Sequence, residues 1–236
     1  MTKTNEFGQP IGEELPVGWK EPIIPDKKTL LGHHTRVEPL DAMKHANELF
    51  TANKSDSDES GWTYLGYGPF DNLSDYQTWL QSVCVFEDPM FWTYMDRKTD
   101  RAIGLGSYLR INPKEGSIEV GHLRFSSLMQ RTTVATEAMF LKMEYAFDLG
   151  YRRYEWKCDA LNAPSRRAAE RLGFKFEGIF RQATHYRGRN RDTAWFSIID
   201  TEWPIVRSAH REWLKPSNFN EKGEQIKALS YFFDAS

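Results

Sequence analysis

The stretch from Ser117 to Phe174 restricts the fold more than any other part of the chain, because it reads as strand, helix, strand with short links. Ile118-Glu-Val-Gly-His-Leu-Arg-Phe125 is the first strand. After it, Val134, Ala138, Leu141 and Tyr145 recur at i, i+4, i+7 and i+11, the spacing of a helix expected from Val134 to Leu149 and stopped by Gly150. Tyr154, Trp156 and Cys158 then alternate with Arg153, Glu155 and Lys157, the period of a half-buried strand. Such a unit predicts two parallel strands with a right-handed crossover, so that the helix starts at the carboxyl end of the first strand, where sheets of this kind seat anionic ligands. The joining segment, Gln130-Arg-Thr-Thr-Val-Ala-Thr136, is therefore a candidate phosphate cradle. The first turn of a helix leaves N–H groups unpaired, and the helix dipole favours negative charge there.

The rest of the chain places this unit in a larger sheet. Met1 to Lys28 carries Pro10, Pro16, Pro22 and Pro25 and reads as an extended arm, pinned by Trp19, Ile23 and Ile24. Thr29 to Pro39 reads as a strand, and Asp41 caps a helix through Phe50. The polar run from Lys54 to Gly61 is expected to be a mobile loop, followed by an aromatic segment shaped by Gly66, Gly68 and Pro69, and by a helix from Ser74 or Asp75 to about Phe86. Phe91–Asp96, Ala102–Ile111 and Ser117–Phe125 predict an antiparallel meander. Phe176–Thr184 and Thr193–Asp200 predict a hairpin, Trp203–Leu214 a last helix, and Asn218–Ser236 a tail. The expected division is an arm at 1–28, one domain at 29–204, and a C-terminal helix and tail at 205–236.

Composition removes several classes of function. Hydrophobic residues make up 40% of the 236, enough for a core, yet no apolar run approaches the roughly 18 residues of a membrane span and no secretory signal opens the chain. A cytoplasmic location follows, with a nuclear pool left open. Cys84 and Cys158 offer neither a disulfide framework nor metal-ligand spacing, and the six histidines do not cluster, so no metal is expected. A net charge of −2 gives no reason to expect nucleic acid, although arginines from Arg152 to Arg191 are dense. They read either as solvated faces or as groups facing phosphate and an acidic partner. The chain reads equally as a monomer or a homodimer.

Two motifs together resemble the GNAT superfamily of acyl-CoA N-acyltransferases, over about Thr29 to Pro204. Gln130 and Ala135 match the family's Gln/Arg-x-x-Gly-x-Gly/Ala at the start of the helix, with Thr133 where Gly is usual. Asn162-Ala-Pro-Ser-Arg-Arg-Ala-Ala-Glu-Arg-Leu-Gly-Phe174 matches its Asn-x-x-Ser/Ala-x-x-x-Tyr-Glu-Lys-x-Gly-Phe, with Ala169 where many relatives carry Tyr. With Trp62 to Phe70 and Gly188 to Asp192, the pattern is similar to the RimJ/RimL branch, whose members acetylate protein N-termini or small amines. The resemblance implies an α/β (α+β) fold: a mixed, mostly antiparallel sheet flanked by helices, with one parallel strand pair splayed apart. It implies acetyl-CoA as cofactor, held by the backbone of Leu123 and Phe125 and by Gln130, Arg131, Thr132, Thr133, Val134, Ala135 and Thr136. Hydroxyls of Thr132, Thr133 and Thr136 would add hydrogen bonds, and Arg166 or Arg167 would face the 3′-phosphate.

Acyl transfer to an amine needs a neutral amine, a stabilised oxyanion, a hydrogen-bonded thiolate and alignment. Glu119, eleven positions before Gln130, is the candidate base, or else one half of a salt bridge with a neighbouring strand. Ser165 is the candidate thiolate partner, or else a helix cap. Asn162 suits both capping and orienting an amide. His122 carries a weaker claim to a catalytic part. Trp62, Tyr64, Tyr67 and Trp92 are expected to line the pocket for a small-molecule or peptide amine. Three functions remain open: an N-acetyltransferase, a CoA-binding regulatory or interaction module motivated by Thr133 and Ala169, and an acyltransferase using a longer acyl-CoA.

Overall fold

Alternating burial assembles the strands into one sheet in the computed structural model, which describes residues 3–234. A short hairpin of β1 (Lys3–Thr4) and β2 (Pro10–Ile11) stands apart. The main elements follow in chain order: β3 (Leu30–Leu31), β4 (Thr35–Pro39), α1 (Ala42–Lys54), α2 (Leu73–Cys84), β5 (Met90–Asp96), β6 (Arg101–Asn112), β7 (Ser117–Phe125), α3 (Thr133–Asp148), β8 (Arg153–Asp159), α4 (Ala163–Arg171), β9 (Lys175–Tyr186), β10 (Arg189–Ile199), α5 (Trp203–Trp213) and α6 (Leu229–Asp234). The eight-stranded sheet has the order β3-β4-β5-β6-β7-β8-β10-β9. Every neighbouring pair is antiparallel except β7 and β8, which α3 joins by the crossover that parallel strands require. The expected mixed, mostly antiparallel sheet flanked by helices is the fold observed.

Each face of the sheet has its own core. Trp92, Tyr94, Tyr108, Ile118, Val120, Tyr154, Trp156 and Phe196 pack under α3 and α5. On the opposite face Phe91, Met95 and Leu105 pack against Ala46 and Leu49 of α1 and Tyr76 and Leu80 of α2. Asp41 caps α1 as expected, accepting from the N–H of Met43 (2.9 Å) and Lys44 (3.1 Å), an interaction worth about 1 kcal/mol.

Four local expectations change. The strand expected over Thr29–Pro39 breaks at Gly32–His34, because the buried Glu137 carboxylate of α3 accepts the N–H groups of His33 (2.8 Å), His34 (2.6 Å) and Thr35 (2.8 Å) and turns the chain around itself. A Cβ at Gly32 would lie 2.4 Å from that carboxylate, so only glycine fits. The arm is held not by Ile23 and Ile24, which are 62% and 53% exposed, but by buried Pro22 and Pro25, by half-buried Trp19, and by bonds from Tyr145 and Tyr151 to the backbone of Asp26 and Ile23. The polar loop after α1 is anchored, since Asp56 pairs with the buried Arg124 and accepts the N–H of Ser127 at 2.6 Å. The expected tail folds back, with Leu229 of α6 packing on Ala209 and Trp213 of α5.

Candidate active site

The parallel pair parts partway along its length. β7 and β8 are paired from Ser117↔Arg153 to Val120↔Trp156, but β7 continues to Phe125 and β8 to Asp159 without further pairing between them. The cause lies in β7. Gly121 to Arg124 spans the stretch that Ser107 to Leu105 covers on β6, so one extra residue is accommodated, and His122 takes a left-handed backbone conformation (φ +52°). A bulge of this kind bends its strand away from a neighbour and re-aims side chains. It places Leu123 and Phe125 beyond the last paired residue, with side chains against the α3 core, as a ligand-binding strand edge requires. The Phe125 carbonyl already accepts from Arg124 Nη1 (2.7 Å) and Gln130 Nε2 (2.9 Å).

α3 opens beside this gap. Its cap is Thr132, whose hydroxyl accepts the Ala135 N–H at 3.3 Å and donates to the Met129 carbonyl at 2.6 Å. Among the described residues no protein acceptor meets the N–H groups of Thr133 and Val134. The left-handed residue of the turn is Arg131 (φ +61°), while Thr133 is helical, so the usual glycine is not demanded by backbone conformation here. The hydroxyls divide differently from expectation: Thr132 is spent on its own turn and Thr136 is buried, accepting from Arg171 Nη1 at 3.1 Å. Thr133 retains a free hydroxyl in the first turn. These residues fit an anionic pyrophosphate through backbone donors rather than through a row of threonines.

α4 borders the other side of the gap. Asn162 caps it, its Oδ1 accepting the Ser165 N–H at 3.1 Å. Ser165 is half-buried, and its Oγ accepts from Trp156 Nε1 at 3.0 Å, which leaves the hydroxyl proton for another acceptor. Cys158 lies next to it, its thiol raised by burial against the opposing pull of the Ser165 hydrogen bond. Ala169, one turn after Ser165, is fully buried in the core, so a larger side chain there would have to displace neighbours. Arg166 donates to the Ala160 carbonyl at 3.3 Å and covers the Phe176 ring, whereas Arg167 is exposed.

The opposite face of the sheet carries the charged groups. Glu119 is 3% exposed and receives Arg110 Nη1 at 2.7 Å and Lys157 Nζ at 3.0 Å on one oxygen. Burial raises its proton affinity against the opposing pull of Lys157 and Arg110. The salt bridge that was one of the two expectations for this residue is present, and it leaves the carboxyl raised above its ordinary value. Lys157 also reaches Glu155 at 2.7 Å and lies over the Trp195 ring at 3.7 Å. His122 is stacked with Tyr67 (5.7 Å) and tilted against Phe91 (5.1 Å), and its pKa is held down to about 4, first by burial and then by Arg110 and Arg191, so it is neutral at pH 7.

The aromatic residues separate. Tyr67 joins the site, stacked on Trp79 at 4.3 Å as well as near His122, with its loop tied down by Arg187, which donates to the Tyr67 carbonyl at 2.9 Å. Tyr64 is half-buried and donates to the Leu161 carbonyl at 3.2 Å, bridging the aromatic loop to the end of β8. Trp62 is buried behind them with the Arg124 guanidinium 4.6 Å from its ring. The expectation for Trp92 is overturned: it is fully buried on the α3 face, edge-on to Tyr108 and bonded to the Lys28 carbonyl. Strand residues alternate faces, so its neighbour Phe91 is the one that reaches His122. Counting the alternation from Met95, which shares that core, would have selected Phe91. No sequence signal paired Arg110 with Glu119, because Arg110 itself has a left-handed backbone that breaks the alternation. A surface cleft lined by Asp56, Asp58, Glu59, Trp62, Phe70 and Tyr76 shares only Trp62 with these residues. Among the described residues no group of three His, Cys, Asp or Glu is placed to hold a metal, and no helix is long and apolar enough to cross a membrane.

The sheet thus has one parallel pair, which parts beside an open helix N-terminus. The acetyltransferase (GNAT) domain family matches residues 36–175, and the chain belongs to that family. It is similar to an uncharacterized N-acetyltransferase p20 of Bacillus licheniformis, 25% identical over 62% of this chain and 84% of that protein. It is also similar to the ribosomal-protein-serine acetyltransferase of Escherichia coli, 30% identical over 46% of this chain and 62% of that protein, in keeping with the RimJ/RimL-like branch. Among solved structures, a GCN5-related N-acetyltransferase from Brucella melitensis superposes with a TM-score of 0.90 at 44% identity, over 93% of this chain and all of that one.

Proposed function

We propose that this acetyltransferase uses acetyl-CoA to acetylate a primary amine, a protein N-terminus or a small molecule, by direct attack within a ternary complex. The observation that supports this most is the end of β7–β8 pairing at Val120 and Trp156, next to the unpaired Thr133 and Val134 N–H groups of α3. Bound acetyl-CoA would supply an activated thioester. The first turn of α3 receives the pyrophosphate, Arg166 and Arg167 offer charge to the 3′-phosphate, and the free edge at Leu123 and Phe125 aligns the pantetheine arm. Ser165, its oxygen already engaged by Trp156, directs its proton toward the sulfur side of the gap, while Asn162 fixes the turn that carries it. On the other face Glu119 accepts the proton of the attacking amine, and Lys157 and Arg110 stabilise the carboxylate beforehand.

Thr133 and Ala169, which motivate a non-catalytic module, are both accommodated: Thr133 has an ordinary helical backbone, and Ala169 leaves Ser165 as the hydroxyl on that face of α4. Ala135→Asp tests the cofactor seat by putting a carboxylate in the first turn of α3. CoA should raise the melting temperature of the wild type and not of a folded Ala135→Asp variant. An equal shift in both would move the cofactor elsewhere.

A further inference from the structure

β10 runs past the end of β8. Thr193 pairs with Asp159, the last residue of β8, so Arg191 stands two positions beyond it, on the strand face it shares with Thr193 and Trp195. Trp195 pairs with Lys157 and lies beneath its amine, so this is the charged face that carries Glu119. Arg191 is half-buried, and its Nε is shut off from solvent with no hydrogen-bond partner. A second donor on the same strand face, Trp195 Nε1, is also buried and unpartnered.

Neither neighbouring acid forms an ion pair with Arg191 among the described residues; each accepts from other, neutral donors. Asp159 accepts the Leu161 N–H (2.8 Å) through one oxygen and the Tyr186 hydroxyl (2.8 Å) through the other. Asp192 accepts from the Gln182 N–H (2.7 Å) and the Asn190 side chain (2.9 Å). Of the other cations beside the gap, Arg110 pairs with Glu119, Lys157 pairs with Glu119 and Glu155, and Arg187 donates to the carbonyls of Tyr67 and Gly68, while Arg166, whose Nε is also buried and unpartnered, donates through Nη1 to the Ala160 carbonyl. Among the described residues, Arg191 has no ion pair. Its charge disfavours a proton on His122 at the bulge and favours the thiolate form of Cys158 beside Ser165. A planar fork of N–H donors, partly desolvated and without a protein acceptor, matches a carboxylate better than any other common group on an amine substrate.

We propose that Arg191 determines acceptor specificity by binding a carboxylate carried by the amine that is acetylated. The proposal deepens the acetyl-transfer reading above and rests on it. The carboxylate belongs either to a free amino acid or to an acidic residue near a peptide N-terminus, and two substrate series separate these sources. One is ω-amino acids of increasing length against their amides, and the other is Ser-Asp-Gly amide against Ser-Asn-Gly amide. With saturating acetyl-CoA and thiol release as readout, the wild type should show at least a tenfold lower KM for the charged member of one series. In Arg191→Gln the ratio of charged to uncharged KM should rise to about one, and Arg191→Lys should keep part of the preference. Equal use of charged and uncharged members by the wild type, or a preference that survives in Arg191→Gln, would overturn the proposal. If no amine releases thiol, the transfer reading fails, and melting then decides on Arg191 alone. In the presence of CoA, 6-aminohexanoate and Ser-Asp-Gly amide are added in turn. One of them should raise the melting temperature of the wild type and not of Arg191→Gln, whereas equal or absent shifts in both proteins would refute the assignment.

Discussion

On the α3 face, Lys142 stands fully buried with its amine 4.1 Å from the Tyr108 ring centre and 4.8 Å from that of Trp92, and among the described residues no carboxylate meets it. On the opposite face, Lys157 also lies over an aromatic ring but holds Glu119 and Glu155. Burial drives the Lys142 amine well below the ordinary lysine range. The contrast shows how one sheet supports two environments: an apolar, aromatic side beneath α3 and α5, and a charged side where a proton can be taken up.

Substitution of the two lysines should break this contrast in opposite directions. Lys157→Met leaves two buried or half-buried carboxylates sharing only Arg110 and Arg153, and should cost about 3 kcal/mol by denaturant unfolding, toward the lower end for a broken buried pair. A loss below about 1 kcal/mol would mean that the network is solvated.

Glu119→Gln comes next. Because burial raises the Glu119 carboxyl, its base form develops as pH rises through that displaced value, and the wild-type rate should rise with it. The variant should lose this limb and be slowed about tenfold to hundredfold, more for lysine-like amines near a pKa of 10.4 than for α-amines near 8. Superimposable rate profiles across about pH 6 to 9 would remove Glu119 from proton transfer.

The smallest effect is expected at Lys142. Its folded pKa is depressed, so the unfolded chain binds more protons between that lowered value and about 10.4, and stability is lost as pH falls through this window. Lys142→Met should therefore stabilise the protein at pH 7 by roughly 1 kcal/mol and by less near pH 10, with a flatter dependence of the melting temperature on pH. A destabilised variant with an unchanged pH slope would show that the amine has a charged or solvated partner.

Local order was readable wherever it decided the structure. The spacing of Val134, Ala138, Leu141 and Tyr145 and the alternation around Trp156 were enough to place α3, β8 and the parallel pair. Asp41 and Asn162 announced their helices by side-chain chemistry. What escaped depends on residues distant in sequence or on a single irregular backbone. Asp56 is fixed by Arg124, and Glu137 breaks a strand a hundred residues earlier, partners that no local window contains. The bulge at His122 changes which residues of β7 share a face, and nothing in Gly121-His122-Leu123 announces it. Trp92 was misplaced for a simpler reason: aromatic character was weighed without the alternation that sends Phe91, not Trp92, to the site.

We propose that a donor on the α3 face meets an amine on the charged face where β7 and β8 part. The direct test is thiol release by the wild-type protein from acetyl-CoA, with and without a pooled library of α-amines, alkylamines and arylamines, products being identified by mass. The account predicts amine-dependent thiol release matched mole for mole by an N-acetylated product. Saturable CoA binding with no acetylated amine from any member of the library would contradict it.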